Sequence, residues 1–352
     1  MNEGVRIKPQ KIHESIWEAI DRIVTTEFRT ADQAPGTGIF LYEAARKITR
    51  EPISFTAAQR LVEVLSPGAP VVLTTGAGGP PWLFKGETDG PPGLAVIARV
   101  LSLGFGVWPI VISEERSRAP LTATLEAAGI SVLPESLARL RPTTATMVPF
   151  TTDPAVAEME AKAFLNRYQP AALIVTEKTS PNRAGVIHST NGKNWPPEVD
   201  FTRVDFLVNE CRKRGIFSIG IGDRGNEIGF GLIEDTVRNI MPWANVCQCP
   251  CGQGMASAIA VDVLYPVNIS NWGCYALAAA LAMLKGQADF LHDPDMEMAM
   301  LRACVAAGAV DGTSARQVLA VDGTSAGAQV AIVTLHAELV RKVVNPSQKV
   351  SY

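Results

Sequence analysis

Two stretches of the sequence combine carboxylate side chains with tight, glycine-containing turns. GETDGPPG places Glu87 and Asp89 two residues apart, and GIGDRGNEIGFG contains Asp223, Asn226 and Glu227. Neighbouring carboxyl groups can split their pKa values and act as an acid and a base. They can also bind a hard divalent cation through oxygen. The two stretches therefore predict a polar centre for proton transfer or for metal binding.

Both stretches also have a simpler structural interpretation, which the sequence leaves open. GETDGPPG is typical of a solvated turn before a helix, because Pro91 and Pro92 suit a first helical turn. Asp223 can cap a helix that carries Glu227 in its first turn. The literal G-x-G-x-x-G in the second stretch is a weak dinucleotide fingerprint, since no strand ending in an acidic residue follows about 20 residues later.

The elements that must position these loops alternate between strands and helices. The segments 71–75, 107–113, 171–176 and 217–221 are apolar runs, and the sequence predicts a strand in each, followed by a helix. Strands of this kind indicate an α/β fold, with a mainly parallel sheet, helices on both faces and Rossmann-like layering. We expect the N-terminal helices to pack on this body.

We expect one domain over residues 1–352, made of a helical segment (1–68) and an α/β body (69–352). In an open parallel sheet, ligands bind beyond the carboxyl ends of the strands. The polar loops after residues 75, 176 and 221 should therefore converge. The residues of the first two loops that we assign to substrate binding are Lys85, Thr88, Glu177, Lys178, Arg183 and His188.

Three cysteines alternate near the middle of the second half of the chain. Cys247, Cys249 and Cys251 fall in a segment, 246–251, that the sequence predicts to be a strand, so their side chains should face one side. A cysteine-only metal site needs a fourth ligand and usually has C-x₂-C spacing. We interpret the three as a buried, inert cluster.

Composition narrows the classes of partner. The 352 residues are 47% hydrophobic and 19% charged, with a net charge of −3. The chain has no basic excess to neutralise a nucleic-acid backbone, and its apolar runs fall short of the roughly 20 residues that a membrane span needs. We expect a cytoplasmic protein that binds a small molecule and neither nucleic acid nor membrane. Whether it forms a homo-oligomer stays open.

The sequence resembles the D-glutamate cyclase family. The motifs that carry the resemblance run in order along nearly the whole chain; they are YEAAR (42–46), GETDGPPG (86–93), GIGDRGNEIGFG (220–231), SNWGCYALAAAL (270–281) and DGTSARQVLAVDG (311–323). The resemblance implies a hydro-lyase that cyclises D-glutamate, an amino-acid substrate, to 5-oxo-D-proline with loss of water.

This reaction needs a base for the ammonium group, neutralisation of the γ-carboxylate and a folded substrate. We hypothesise an acidic centre of Glu87, Asp89, Asp223 and Glu227 that works by acid–base chemistry or binds Mg²⁺ or Mn²⁺. Asn226 would orient a carbonyl oxygen.

The remaining assignments concern the substrate. Lys178 or Arg183 would bind the α-carboxylate, and Glu177 is a second candidate base. Asn271, in the motif SNWGCYALAAAL, is assigned to substrate binding.

Two departures from the family pattern bear on specificity. The loop after the predicted strand 171–176 has Ala184, Ile187 and His188 where the family has an acid and two tyrosines. In the loop after the predicted strand 217–221, Arg224 stands where a glycine is usual in the family. These departures motivate two alternatives. One is a non-catalytic amino-acid or metabolite-binding protein on the same fold, and the other is a lyase or hydrolase for a different amino acid.

Overall fold

A seven-stranded parallel sheet forms the centre of the protein. The computed structural model describes residues 12–28, 34–196 and 198–345. The sheet order is β3-β4-β2-β1-β5-β6-β7, and each neighbouring pair is parallel. The strands are β1 (Pro70–Gly76), β2 (Trp108–Ile112), β3 (Ser131–Val132), β4 (Thr144–Met147), β5 (Ala172–Lys178), β6 (Phe217–Gly222) and β7 (Val263–Pro266).

Helices cover the sheet, and a short hairpin of β8 (Ala320–Val321) and β9 (Thr324–Ser325) precedes the last helix. The helices are α1 (Glu14–Val24), α2 (Thr37–Thr49), α3 (Ile53–Val64), α4 (Pro91–Phe105), α5 (Arg118–Ala127), α6 (Glu135–Ala138), α7 (Pro154–Tyr168), α8 (Val204–Lys213), α9 (Glu234–Ile240), α10 (Ser270–Lys285), α11 (Pro294–Ala306) and α12 (Ala326–Val344). The predicted α/β fold is confirmed, and β1, β2, β5 and β6 are the four strands predicted above.

The chain places β2, β3 and β4 on one side of β1, and it places β5, β6 and β7 on the other side. From β1 the chain passes to β2 and then to the edge strand β3, returns to β4 between them, and crosses to β5 on the opposite side of β1. Right-handed crossovers place α4 and α8 on opposite faces, because the strands they connect advance in opposite directions. The loops after β1 and β5 diverge at this point and leave a crevice, where open α/β sheets bind ligands.

The predicted packing of the N-terminal helices on the α/β body is confirmed, and a buried carboxylate lies at the junction. Asp21, on α1, accepts hydrogen bonds from the hydroxyls of Tyr42 (2.7 Å) and Tyr265 (2.6 Å) and from the backbone N–H of Ile53 (2.7 Å). Burial raises the pKa of Asp21 above its ordinary value, while its hydrogen bonds lower it. These contacts join α1, α2, α3 and β7 through one side chain.

One predicted strand is wrong. Residues 246–251 form bends and turns rather than a strand, within a stretch between α9 and β7 that has little regular structure. The alternation of cysteines with polar residues imitates strand periodicity, but Pro250 and Gly252 interrupt any ladder. The predicted single-domain organisation over 1–352 stays a prediction. Among the described residues, no helix has both the length and the hydropathy to cross a bilayer.

Candidate active site

A cavity of about 510 Å³ opens at the carboxyl edge of the sheet, between β1 and β5, where the order of strand addition reverses. Its lining comes from the loops after β1, β5 and β6, so the predicted convergence of the three loops is confirmed. A fourth segment, 312–322, also contributes. The ionisable and amide side chains that line the cavity are Glu87, Glu177, Asp223, Arg224, Asn226 and Asp322.

The loop after β6 is folded around the Glu227 carboxyl group. Its Oε1 accepts the backbone N–H of Arg224 (3.0 Å), and its Oε2 accepts that of Gly225 (2.8 Å). Gly225 has a φ of +91°, and a Cβ there would lie 2.5 Å from Val237 Cγ1, so the turn requires glycine. Asp223 and Asn226 are thereby held on the cavity wall.

Glu177 lies at the end of β5 in a strained conformation. Its φ is +42°, a value that non-glycine residues rarely adopt. Its buried carboxylate accepts a hydrogen bond from Ser270 Oγ at 2.6 Å, at the start of α10. The side chain is therefore fixed by a contact between two elements that are almost a hundred residues apart.

The buried carboxyl groups raise one another's pKa values. Burial, followed by the charge of Asp223 and a hydrogen bond with it, raises the pKa of Glu227 to about 8. Burial raises the pKa of Glu177 well above its ordinary value, and the charges of Asp223, Glu227, Asp89 and Glu87 raise it further. A pKa of about 8 keeps a proton on Glu227 at neutral pH, as a general acid requires, and the pKa of Glu177 is shifted in the same direction.

Two groups of three carboxylates could hold a metal ion, and they share Asp223. One is formed by Asp89, Asp223 and Asp322, and the other by Glu177, Asp223 and Glu227; the oxygens of each group lie within 4.8 Å of one another. An all-oxygen set fits Mg²⁺ or Mn²⁺. Compared with the predicted ligand set, Glu177 and Asp322 are added and Glu87 belongs to neither group.

Asp89 and Asn271 cap each other's helices. Asp89 accepts the backbone N–H groups of Ser270 (2.9 Å) and Asn271 (2.8 Å) at the start of α10. Asn271 Oδ1 in turn accepts those of Gly90 (2.9 Å) and Gly93 (2.8 Å) at the start of α4. Both helices therefore begin next to Glu177, a cavity residue that Ser270 contacts. GETDGPPG is thus a helix start that also lies beside the site.

Comparison with known proteins agrees with this arrangement. The chain matches the family described as "D-glutamate cyclase-like, C-terminal" over residues 42–335. The chain belongs to this family. It is also 28% identical over 205 residues to the human protein named "D-glutamate cyclase, mitochondrial". That match covers 56% of this chain and 30% of the human protein, so the chain spans less than a third of that relative.

Lys178 lies elsewhere in this D-glutamate cyclase-like chain than predicted. Its side chain is fully buried and forms an ion pair with Glu114, which also accepts the backbone N–H of Thr202 (3.0 Å). This ion pair directs the Lys178 side chain away from the cavity. It is not among the residues that line the cavity.

Of the other predicted substrate contacts, Glu177 lines the cavity, and the remaining five lie outside its lining. Arg183 is half exposed and pairs with Glu234 (2.8 Å), and Lys85 Nζ donates to the carbonyl of Ala307 (3.2 Å). Thr88 Oγ1 donates to the carbonyl of Ala320 (2.7 Å). The remaining two, His188 and Asn271, are buried: the first lies beside the cysteines and the second caps α4.

Arg224 and Asp322 are cavity residues that the sequence analysis did not assign. Arg224 is the cationic side chain among the described residues that line the cavity, and its Nε lies 3.9 Å from Asp223 Oδ1. Asp322 reaches the site because segment 310–323 packs on the loop after β1, where Thr88 donates its backbone N–H to Val310 (2.9 Å). Arg224 could have been assigned to the site from the sequence, because it replaces a glycine that is usual in the family. Asp322 could not, because only tertiary packing brings it to the site.

The mutual capping predicts a specific loss of stability. In Asn271→Ala, the backbone N–H of Gly93 loses its buried acceptor and that of Gly90 keeps only Asp89 Oδ1, so we expect the free energy of unfolding to fall by about 2 kcal/mol. Asn239→Ala, an exposed helical position on α9, is the matched control and should change it by less than about 0.5 kcal/mol. Urea denaturation of both variants measures this difference, and equal losses would contradict the capping role.

The raised pKa values predict that stability falls as pH rises. Between the ordinary pKa of glutamate and about 8, the folded chain keeps a proton on Glu227 that the unfolded chain has released, so raising the pH favours unfolding. Urea denaturation from pH 5 to 9 should show this decline, with levelling above about pH 8. Asp223→Asn removes a charge that raises both pKa values and should flatten the curve, whereas the exposed control Asp289→Asn should not. A slope unchanged in Asp223→Asn would refute the coupling.

Proposed function

We propose that this chain catalyses the cyclisation of D-glutamate to 5-oxo-D-proline with release of water. The observation that carries the proposal is a cavity lined by Glu177, whose pKa is raised, together with Asp223 and one arginine, with the buried Glu227 beside Asp223. Family membership and the printed name of the human relative suggest the substrate.

The reaction balances without an oxidant or a second substrate. A bond forms between the α-nitrogen and the γ-carboxyl carbon, and one carbon–oxygen bond of that carboxyl group breaks. The α-ammonium group loses two protons, and both leave with the oxygen as water. The protein must therefore take protons from nitrogen and deliver them to oxygen.

The residues divide these tasks according to position and charge. Arg224 binds the α-carboxylate, which replaces the expectation for Lys178 or Arg183. Asp223 accepts the two protons that the nitrogen loses and passes them to Glu177, whose raised pKa favours its protonated form and which delivers them to the leaving oxygen. The Asn226 amide and Glu87, on the cavity wall, orient the bent substrate so that nitrogen meets the γ-carbon.

The carboxylates also fit a divalent cation. Asp223 would hold Mg²⁺ or Mn²⁺ with Glu177 and Glu227, or with Asp89 and Asp322. Such an ion would supply a Lewis acid that neutralises the γ-carboxylate of the substrate. The cytoplasmic location and the absence of nucleic-acid and membrane partners stay proposals.

Asp223→Asn tests the acid–base role. It keeps the size of the side chain and removes its basicity, so we expect 5-oxoproline formation to fall at least about 100-fold. Chiral liquid chromatography with mass spectrometry measures the product from each glutamate enantiomer, with Asp289→Asn as the control. A folded Asp223→Asn enzyme with undiminished turnover would remove Asp223 from the mechanism. Wild-type protein that glutamate stabilises against heat without any product would favour the binding-protein alternative.

Metal removal tests the cation. If the carboxylates bind Mg²⁺ or Mn²⁺, exhaustive dialysis against a chelator should abolish turnover, and either ion should restore it. Calorimetric titration of the chelator-treated protein should show binding that Asp223→Asn weakens and Asp289→Asn does not. Full activity after chelation would reject the metal while leaving the acid–base proposal intact.

A further inference from the structure

A second group of ligand-type side chains lies behind the cavity wall. The His188 imidazole and the thiols of Cys247, Cys249 and Cys251 each offer an atom within 4.8 Å of the other three. His188 and Cys247 are buried, and Cys249 and Cys251 are partly buried. These four residues, here called the Cys₃His cluster, come from the loop after β5 and from the irregular stretch between α9 and β7.

The distances within the cluster lie within about 0.5 Å of the edges of a zinc tetrahedron. Zn–S bonds of about 2.3 Å and Zn–N bonds of about 2.0 Å place tetrahedral ligand atoms roughly 3.5–3.8 Å apart. Cys247 Sγ lies 3.5 Å from Cys249 Sγ and 3.3 Å from Cys251 Sγ. His188 Nε2 lies 3.1 Å from Cys249 Sγ and 3.7 Å from Cys251 Sγ. The four side chains thus already surround one point.

The surroundings prepare the histidine as a ligand. His188 Nδ1 lies 3.1 Å from the carbonyl oxygen of Val186, which can only accept, so Nδ1 carries the proton and Nε2 presents a lone pair to the sulfurs. Zinc-binding histidines are typically oriented in this way by a partner on the other ring nitrogen. Asn182 Nδ2, which donates to the carbonyl of Gly254 (2.7 Å), lies 3.5 Å from Cys251 Sγ.

We propose that the Cys₃His cluster is a structural zinc site. Three cysteines and one histidine are a ligand set of closed structural zinc sites, and soft thiolates disfavour Mg²⁺ and Mn²⁺. Binding converts three thiols into thiolates with release of three protons, and no electron is transferred. The proposal replaces the interpretation of the cysteines as an inert cluster, which did not include His188.

The site explains how a long irregular stretch is held in place. About twenty residues separate α9 from β7, and such loops need other constraints in a compact domain. The stretch is anchored by Gln248, whose backbone N–H donates to Gly192 (2.8 Å), and Asn226 Nδ2 donates to the carbonyl of His188 (3.1 Å). Zinc would therefore fix the loop against which the cavity residue Asn226 is held.

Metal analysis tests the proposal without reference to activity. Protein expressed with added zinc and purified under reducing, chelator-free conditions should contain about one zinc per chain by plasma mass spectrometry. Cys249→Ser and His188→Ala should each lose most of it. Cys211→Ser, which alters a buried thiol on α8, is the matched control and should keep it. Asp223→Asn should also keep it, which separates this site from the carboxylates.

Cobalt and stability provide independent readouts. Co²⁺ added to the reduced, metal-free protein should give the visible and near-ultraviolet absorption of tetrahedral cobalt–thiolate, and Cys249→Ser should weaken it. Removal of zinc should lower the melting temperature, and Zn²⁺ but not Mg²⁺ should restore it. The proposal is overturned if reduced wild-type protein binds neither Zn²⁺ nor Co²⁺, or if Cys249→Ser binds as much as wild type. A Cys247–Cys251 disulfide in place of metal would overturn it equally.

Discussion

Asp89 accepts backbone hydrogen bonds from the start of α10, and Asn271 accepts backbone hydrogen bonds from the start of α4. Asp89 precedes α4, which follows the central strand β1, and Asn271 begins α10, which follows the edge strand β7. Two helices from distant parts of the sequence thus meet at their N-termini through buried hydrogen bonds. Because Ser270 of the same turn donates to Glu177, this junction also fixes β5 and connects three elements of the site.

The junction also stabilises negative charge on the acidic residues around it. Helix N-termini favour negative charge, and two of them meet where Asp89 lies and where Glu177 and Asp223 are close. Backbone N–H groups satisfy both oxygens of Glu227 as well. These donors offset part of the repulsion within the acidic centre, and the raised pKa values of Glu177 and Glu227 remove more of it by keeping protons bound. The raised pKa values, which the proposed cyclisation requires, thus result from placing several carboxyl groups close together in a buried site.

The sequence predicted the features that depend on local pattern and failed where distant contacts decide. Strands that are apolar throughout identified β1, β2, β5 and β6, and the rule for ligand sites in parallel sheets identified the converging loops. The sequence assigns both Glu177 and Lys178 to the site, but a buried ion pair with Glu114, 64 residues away along the chain, holds Lys178 elsewhere. Asp322 lies 235 residues from Glu87 along the chain, and only packing brings them to one cavity.

The prediction of a strand over residues 246–251 is wrong for the same reason, because contacts with distant residues decide how this segment folds. Alternation suggested a strand with three sulfurs on one face, but the segment is folded into turns, and the turns bring the sulfurs to the imidazole of His188. The two candidate metal sites then differ in ligand chemistry, with thiolates and imidazole in one and carboxylates in the other. Soft ligands favour zinc, whereas hard oxygens suit magnesium and manganese. If both proposed ions bind, ligand type would keep them apart, even though Asn226 joins the two sites through one hydrogen bond.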